Sequence, residues 1–433
     1  MISFRCKKKS TGAVLITGHV KVVMLFVLIF ALGKGSQFFI PIILGNVLEP
    51  ELYGAIELSI SFGLIIISIS SMCSSSFISR CIIKEEGWIN LDAVKFYLAG
   101  LSTVLLIVSI VMHVMNNSVV IELALAFSSI LLLQGGISSE LKSKAKRKSA
   151  IIVDGMLWAT ILVWAFIYIS EVVSGFFSSL LWFAFTHYAV LFIIFVKSID
   201  FSKIRLSLSV IRYFKEGSKI VIMGFVSTLV ATSGRLVIGD NLGVGAVGEY
   251  SSLYRISIIP IVGHQIIMLY FYRMSFSKSK KQFIYLGNFS FVMISCISLI
   301  AWLSASFFAP YLGLAFEKSL QSNPIVFTTL MISVPFWSAI SVNELAYSQN
   351  VQSRIPLLVS LSYVSLAYLL TSYSMLDANL DRASEYISLM TVGYYFINSL
   401  SLAKVGVTVP KLPMLSSAVI LTLLLSYLLT TPS

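Results

Sequence analysis

The chain is a succession of apolar runs, each about 20 residues long, divided by short polar segments. A helix needs roughly 20 apolar residues to cross the hydrocarbon of a bilayer. Lipid offers backbone N–H and C=O groups no water to bond, so a single spanning segment satisfies them internally as a helix. The runs fall near 22–45, 56–78, 96–115, 119–139, 150–170, 176–196, 220–239, 250–270, 284–307, 324–343, 355–374 and 386–403, with one more at 412–430. They predict an all-α integral membrane protein with about 12 core transmembrane helices and a further, 13th span at the C-terminus. Composition agrees, since 57% of residues are hydrophobic and only 12% charged, where soluble domains have about 25% charged.

The distribution of Lys and Arg fixes an expected orientation. With the N-terminus in the cytoplasm, every basic residue of the 31 falls on the cytoplasmic side except Lys34, Arg235, Arg255, Lys318 and Arg382. The opposite loops carry acids instead, among them Glu49, Glu51, Glu171, Asp240, Glu317, Asp377, Asp381 and Glu385. Basic loops remain on the cytoplasmic side of a membrane, so the segmentation and the orientation support each other. The net charge of +12 is then topological, and no nucleic-acid partner is expected. Cys6, Cys73, Cys81 and Cys296 show neither metal-ligand spacing nor a disulfide framework. The basic start RCKKK is not followed by the pattern of a cleavable signal peptide.

One motif suggests a nucleotide. Gly243 to Gly248 reads GVGAVG, matching the G-x-G-x-x-G that cradles a pyrophosphate in dinucleotide folds. That reading needs a preceding strand, and here IVIMGFVSTLVATSGRLVIG is a spanning helix. The glycines read instead as a tight turn between the seventh and eighth spans, where permissive backbone angles are required.

The same turn reveals a repeat. LGNVLEPELYG (44–54) and IGDNLGVGAVG (238–248) align at constant offset, pairing Gly45 with Gly239, Leu48 with Leu242 and Gly54 with Gly248. Each segment links one span to the next on the outer side. The first span thus matches the seventh, and a repeat of six helices makes two parallel bundles related about the membrane normal. The expected divisions are an N-terminal bundle over 1–197, a cytoplasmic interfacial linker over 198–219, a C-terminal bundle over 220–403 and an extra helix within 404–433. The linker contains LSLSVIRYFKEGSK (206–219), whose mixed basic and apolar residues fit an amphipathic helix on an anionic leaflet.

LGNVLEPELYGAIELSISFGLII and GRLVIGDNLGVGAVGEYSSLYRI together resemble the first-half and second-half signatures of the polysaccharide-exporter branch of the multidrug/oligosaccharidyl-lipid/polysaccharide exporter superfamily. Length, twelve core spans, basic cytoplasmic loops and short outer loops resemble its O-antigen flippases (Wzx-type). The resemblance implies a bacterial inner-membrane flippase that carries an undecaprenyl-diphosphate-linked oligosaccharide from the cytoplasmic to the periplasmic leaflet by alternating access, in O-antigen or lipopolysaccharide biosynthesis. A polymerase and a chain-length regulator of that pathway are then expected partners. The thirteenth span departs from the family's twelve-helix pattern.

Charges inside spans are costly and usually functional. Lys34 in ALGKGSQFF, Arg235 and Arg255 are the candidate substrate-binding cations, for the diphosphate and sugar head. Asp154, His187 and His264 are candidates for H⁺ or Na⁺ coupling, against simpler roles as a local salt bridge or satisfied structural groups. No catalytic residue, metal site or cofactor is indicated. One alternative is a cation-coupled multidrug exporter of the same superfamily, which calls for buried acids that bind the coupling ion. Another is a membrane polysaccharide polymerase, which would be expected to carry a large outer loop with catalytic basic residues. The outer loops here are short.

Overall fold

The computed structural model describes residue 33 and residues 35–71, 74–84, 90–115, 118–204, 208–270, 280–349, 354–374 and 379–430. Among the described residues it is helical throughout, without strands. The helices of the first half are α1 (Ser36–Val47), α2 (Pro50–Ser70), α3 (Ser74–Lys84), α4 (Leu91–Val114), α5 (Val119–Ser143), α6 (Arg147–Ile169) and α7 (Phe176–Lys197). Those of the second half are α8 (Leu208–Asn241), α9 (Val244–Ser257), α10 (Ile261–Tyr270), α11 (Lys280–Leu312), α12 (Leu314–Ser322), α13 (Pro324–Gln349), α14 (Ile355–Ser374) and α15 (Leu380–Lys404), followed by α16 (Lys411–Thr430).

Among the described residues, ten helices are long and apolar enough to cross a membrane. The other sequence runs are accounted for by breaks and polarity. Only the α1 part of the first run is described. The eighth run divides into α9 and α10 at a turn over 258–260, where Pro260 cannot continue the helical hydrogen bonds. The twelfth run is α15, which is helical but polar on one face. It buries Ser384, Ser388 and Asn398, and Ser384 and Ser388 bond Thr329 and Ser333 of α13 at 3.0 and 2.8 Å.

One expectation changes. The segment read as a separate interfacial helix runs from Leu208 straight into the seventh span as one helix, α8. The loop after the ninth span contains α12, which stands on Gly313 at φ +114°. That left-handed conformation strongly favours glycine.

Among the described residues two large hydrophobic cores fill the two bundles, and a smaller third gathers Met223, Tyr347, Leu357 and Leu402 in the second half. One gathers α1 to α7 around Phe127, Trp164 and Phe195. The other gathers α8 to α15 around Phe327, Phe336 and Tyr395, and reaches across the join to Phe38 of α1 and Leu58 of α2. The bundles join where the repeat-related turns meet, at the end that the charge pattern assigns to the outside. There is no room for a Cβ on Gly54, which lies against the Val244 carbonyl, nor on Gly248, which lies against the Pro50 carbonyl. Gly54 and Gly248 are mates in the sequence repeat, and so are Pro50 and Val244. The contacts are therefore reciprocal, as a two-fold relation between the halves requires. Gly45 against Tyr53 and Ser252, and Gly239 against Val247 and Leu58, repeat the reciprocity one layer further along.

Asn46 adds a bond across the join. Its Nδ2 donates to the Leu312 carbonyl at 3.2 Å, and its Oδ1 accepts from Ala315 N–H at 3.0 Å. A side chain of one half thus caps a helix of the other, since Gly313 has no side chain with which to cap α12. At the opposite end of the molecule, α3 and α10 make their main contacts within their own halves.

Candidate functional site

Glu57 lies two turns inside α2, about 10 Å along the helix from its start. It is wholly buried, at 0% exposed. A carboxylate at such a place needs charge compensation, because an isolated buried ion is far costlier than a paired one. The compensation comes from the other half. Arg255 of α9 donates from Nε to Oε1 at 2.8 Å and from Nη2 to Oε2 at 2.7 Å. This is the two-pronged geometry that a guanidinium makes with a carboxylate. Arg235 of α8 donates from Nη1 to Oε2 at 2.8 Å. The Tyr53 hydroxyl, one turn back on α2, donates to Oε1 at 3.1 Å.

Aromatic rings hold the guanidiniums from the sides. Arg235 lies 4.5 Å from the Tyr254 ring centroid. Arg255 lies 4.8 Å from that of Trp158 on α6, and its Nη1 also reaches the Gln37 carbonyl of α1 at 3.5 Å. Cation–π contacts of this kind gain strength when water is excluded. Arg235 and Arg255 are 3% and 7% exposed.

The cluster holds two guanidiniums against one carboxylate, so it carries a surplus positive charge. Arg235 Nε is buried with no hydrogen-bond partner among the described residues. The acid belongs to one half and both bases to the other, so the cluster clasps the halves together. It also breaks the internal symmetry. At the repeat offset the mates of Glu57, Arg235 and Arg255 are Ser251, Pro41 and Ser61.

The structure thus brings Arg235 and Arg255 together on a partner that the sequence reading passed over. The signal was present, since Glu57 stands as a lone carboxylate in an apolar run, the pattern that marks function inside a membrane. Lys34 lies outside the described residues. Asp240 is exposed.

The other candidates are scattered. Asp154 on α6 pairs with Lys142 at 2.9 Å, and its carbonyl accepts from Gln37 Nε2 at 2.5 Å. His187 on α7 is 7% exposed, and its Nδ1 meets Thr160 Oγ1 at 2.6 Å. His264 on α10 meets Ser290 Oγ at 2.7 Å through Nδ1. The two histidines belong to different halves and share no cluster. Among the described residues no three His, Cys, Asp or Glu side chains are placed to hold a metal.

No protein-family model matches the chain, and no curated protein matches it. Solved structures do. One is the inward-facing conformation of a multidrug resistance MATE family transporter of the MOP superfamily, at 15% identity and TM-score 0.51, covering 90% of this chain and 95% of that one. Another is a MATE protein in complex with MaL6, at 14% identity and TM-score 0.55, covering 92% and 95%. At these identities the likeness establishes the fold alone, that of a multi-helix membrane protein.

Proposed function

We propose that the chain is an alternating-access exporter of the bacterial inner membrane whose cargo is an undecaprenyl-diphosphate-linked oligosaccharide. The observation that carries this reading is the clasp of Glu57 with Arg235 and Arg255, a buried and net-positive ion cluster where the two halves close. While it holds, the outer ends stay together. A diphosphate entering between the halves competes with Glu57 for the arginine donors, and the unpartnered Arg235 Nε is a first foothold. Release of Glu57 removes the bond between the halves, and the outer end parts. Departure of the anion lets Glu57 pair again and close the path. Cargo binding and gate opening are thereby one exchange of ion-pair partners, which supplies the differential affinity that a conformational shift requires.

A second reading is a cation-coupled multidrug exporter. The solved neighbours favour it over the first as to cargo, since one is described as a multidrug resistance transporter. Glu57 serves that reading too, because a proton on its carboxylate would release the arginines without any anionic cargo.

Cells lacking the chain separate the two. Under the first reading they lose surface polysaccharide and accumulate single lipid-linked repeats on the cytoplasmic leaflet, and a normally expressed Arg255→Lys variant fails to restore the polymer. Under the second, surface polysaccharide is intact and cationic drugs become more toxic. Repeats that reach the periplasmic leaflet but stay unpolymerised would overturn the first reading and point to a polymerase.

A further inference from the structure

A cavity of about 690 Å³ lies along the junction of the halves, beside the clasp. Its walls are mainly apolar, with Phe62 and Ile65 from α2, Leu229 and Leu236 from α8 and Leu369 from α14, broken by the polar Ser233, Ser365 and Tyr368. Along these helices it extends from the middle of the spans to Gly239 and Asp240 at the outer end. Phe62 and Leu369 on its rim are exposed, at 38% and 66%, so the cavity is a groove open to the hydrocarbon around the protein.

The groove and the clasp share one helix contact. Leu58 lines the groove and its neighbour Glu57 sits in the clasp; Leu236 lines the groove and its neighbour Arg235 sits in the clasp. One side of the α2–α8 contact is thus apolar and faces lipid, while the other is cationic and faces the join between the halves. We propose that this groove holds the polyprenyl chain of an anionic, lipid-linked cargo in the outer half of the membrane, its head group drawn between α2 and α8 towards Arg235.

The inference rests on the lipid-linked reading of the cargo. Charge complementarity selects the occupant. Asp240 at the outer lip repels an anionic head resting at the membrane surface, as that of a resident acidic phospholipid would. The surplus positive charge of the clasp attracts an anion that lies deeper, between the helices. Because α2 and α8 are the helices that part when the clasp opens, the chain can stay in lipid while the head passes through the interior.

The test uses the purified full chain in phosphatidylcholine nanodiscs, with undecaprenyl phosphate as the labelled probe. Ser365 lines the groove, so Ser365→Trp fills it. Leu366→Trp adds the same bulk beside it on α14, at a residue 58% exposed and outside the lining. Binding should fall about tenfold or more in Ser365→Trp, with the melting temperature kept, and remain unchanged in Leu366→Trp. Leu369→Trp is the second filler should Ser365→Trp misfold. Excess phosphatidylglycerol should not displace the probe. Equal binding by filled and unfilled grooves, displacement by phosphatidylglycerol, or no binding by the unaltered protein would each overturn the proposal. Failure of the cargo reading is distinguishable. A chain that exports drugs and leaves lipid-linked repeats in place, yet binds undecaprenyl phosphate in a Ser365-dependent way, loses the cargo and keeps the groove. A chain that moves the repeats equally well with Ser365→Trp keeps the cargo and loses the groove.

Discussion

Glu57 accepts hydrogen bonds from two arginines and a tyrosine, so its charge is the keystone of the contact between the halves, and of the closed end in the proposed cycle. Glu57→Gln leaves two buried guanidiniums without a counter-charge, and breaking a buried pair in this way costs about 3–5 kcal/mol. The open end wets the arginines and escapes most of that cost. The expected outcome is an outer end that stands open at rest, read as labelling of an introduced cysteine there, with transport reduced at normal expression. Exchanging the charges in Glu57→Arg with Arg255→Glu restores a pair across the join, and should recover part of the closed population that either single change loses. Asn46 acts more weakly. Asn46→Ala removes a helix cap supplied across the join, and caps are worth about 1 kcal/mol. The open population should rise about fivefold by the same labelling, with little change in the melting temperature of either half. At this scale the sequence was half legible. Arg235 and Arg255 stand out because cations are rare inside spans. Their partner is far away in the chain, and a pairing at that separation leaves no local pattern.

Among the elements, the repeat-related turns matter most. Gly54 and Gly248 each lie against a backbone carbonyl of the other half, so neither contact can yield by rotating a side chain. Alanine at either position should wedge the outer ends apart and lower transport. Gly100, inside α4, faces open space. Gly100→Ala should leave transport intact and raise thermal stability, since alanine in a helix interior is favoured over glycine by about 1 kcal/mol. The comparison separates a closure effect from a general loss of glycine. The alignment of 44–54 with 238–248 marked Gly54 and Gly248 as equivalent positions, but that each lies against the other half is visible only in the structure. The break between α9 and α10 was less legible. The apolar run continues through the turn between α9 and α10, and hydropathy alone does not register such a turn. The continuity of α8 was missed for the converse reason, since a change from basic to apolar residues looks like a boundary even where the backbone does not bend.

For the whole molecule, the number of runs and the placement of Lys and Arg were enough to give an all-helical membrane protein in two halves, and the solved transporters share that fold. Which end is closed is not written in hydropathy. Asn46, the glycine contacts and the Glu57 clasp gather at one end, and under the proposed alternating access that end is the closed one. The central claim is that this clasp is the gate. The most direct measurement is a pulsed dipolar distance between spin labels at Glu49 and Lys318, on the outer turns of opposite halves, in a background with Cys6, Cys73, Cys81 and Cys296 replaced. If the clasp is the gate, the parent protein in nanodiscs gives one narrow, short distance, and Glu57→Gln gives a longer and broader one. The same narrow distance in Glu57→Gln would show that the halves hold together without it, and would contradict the claim.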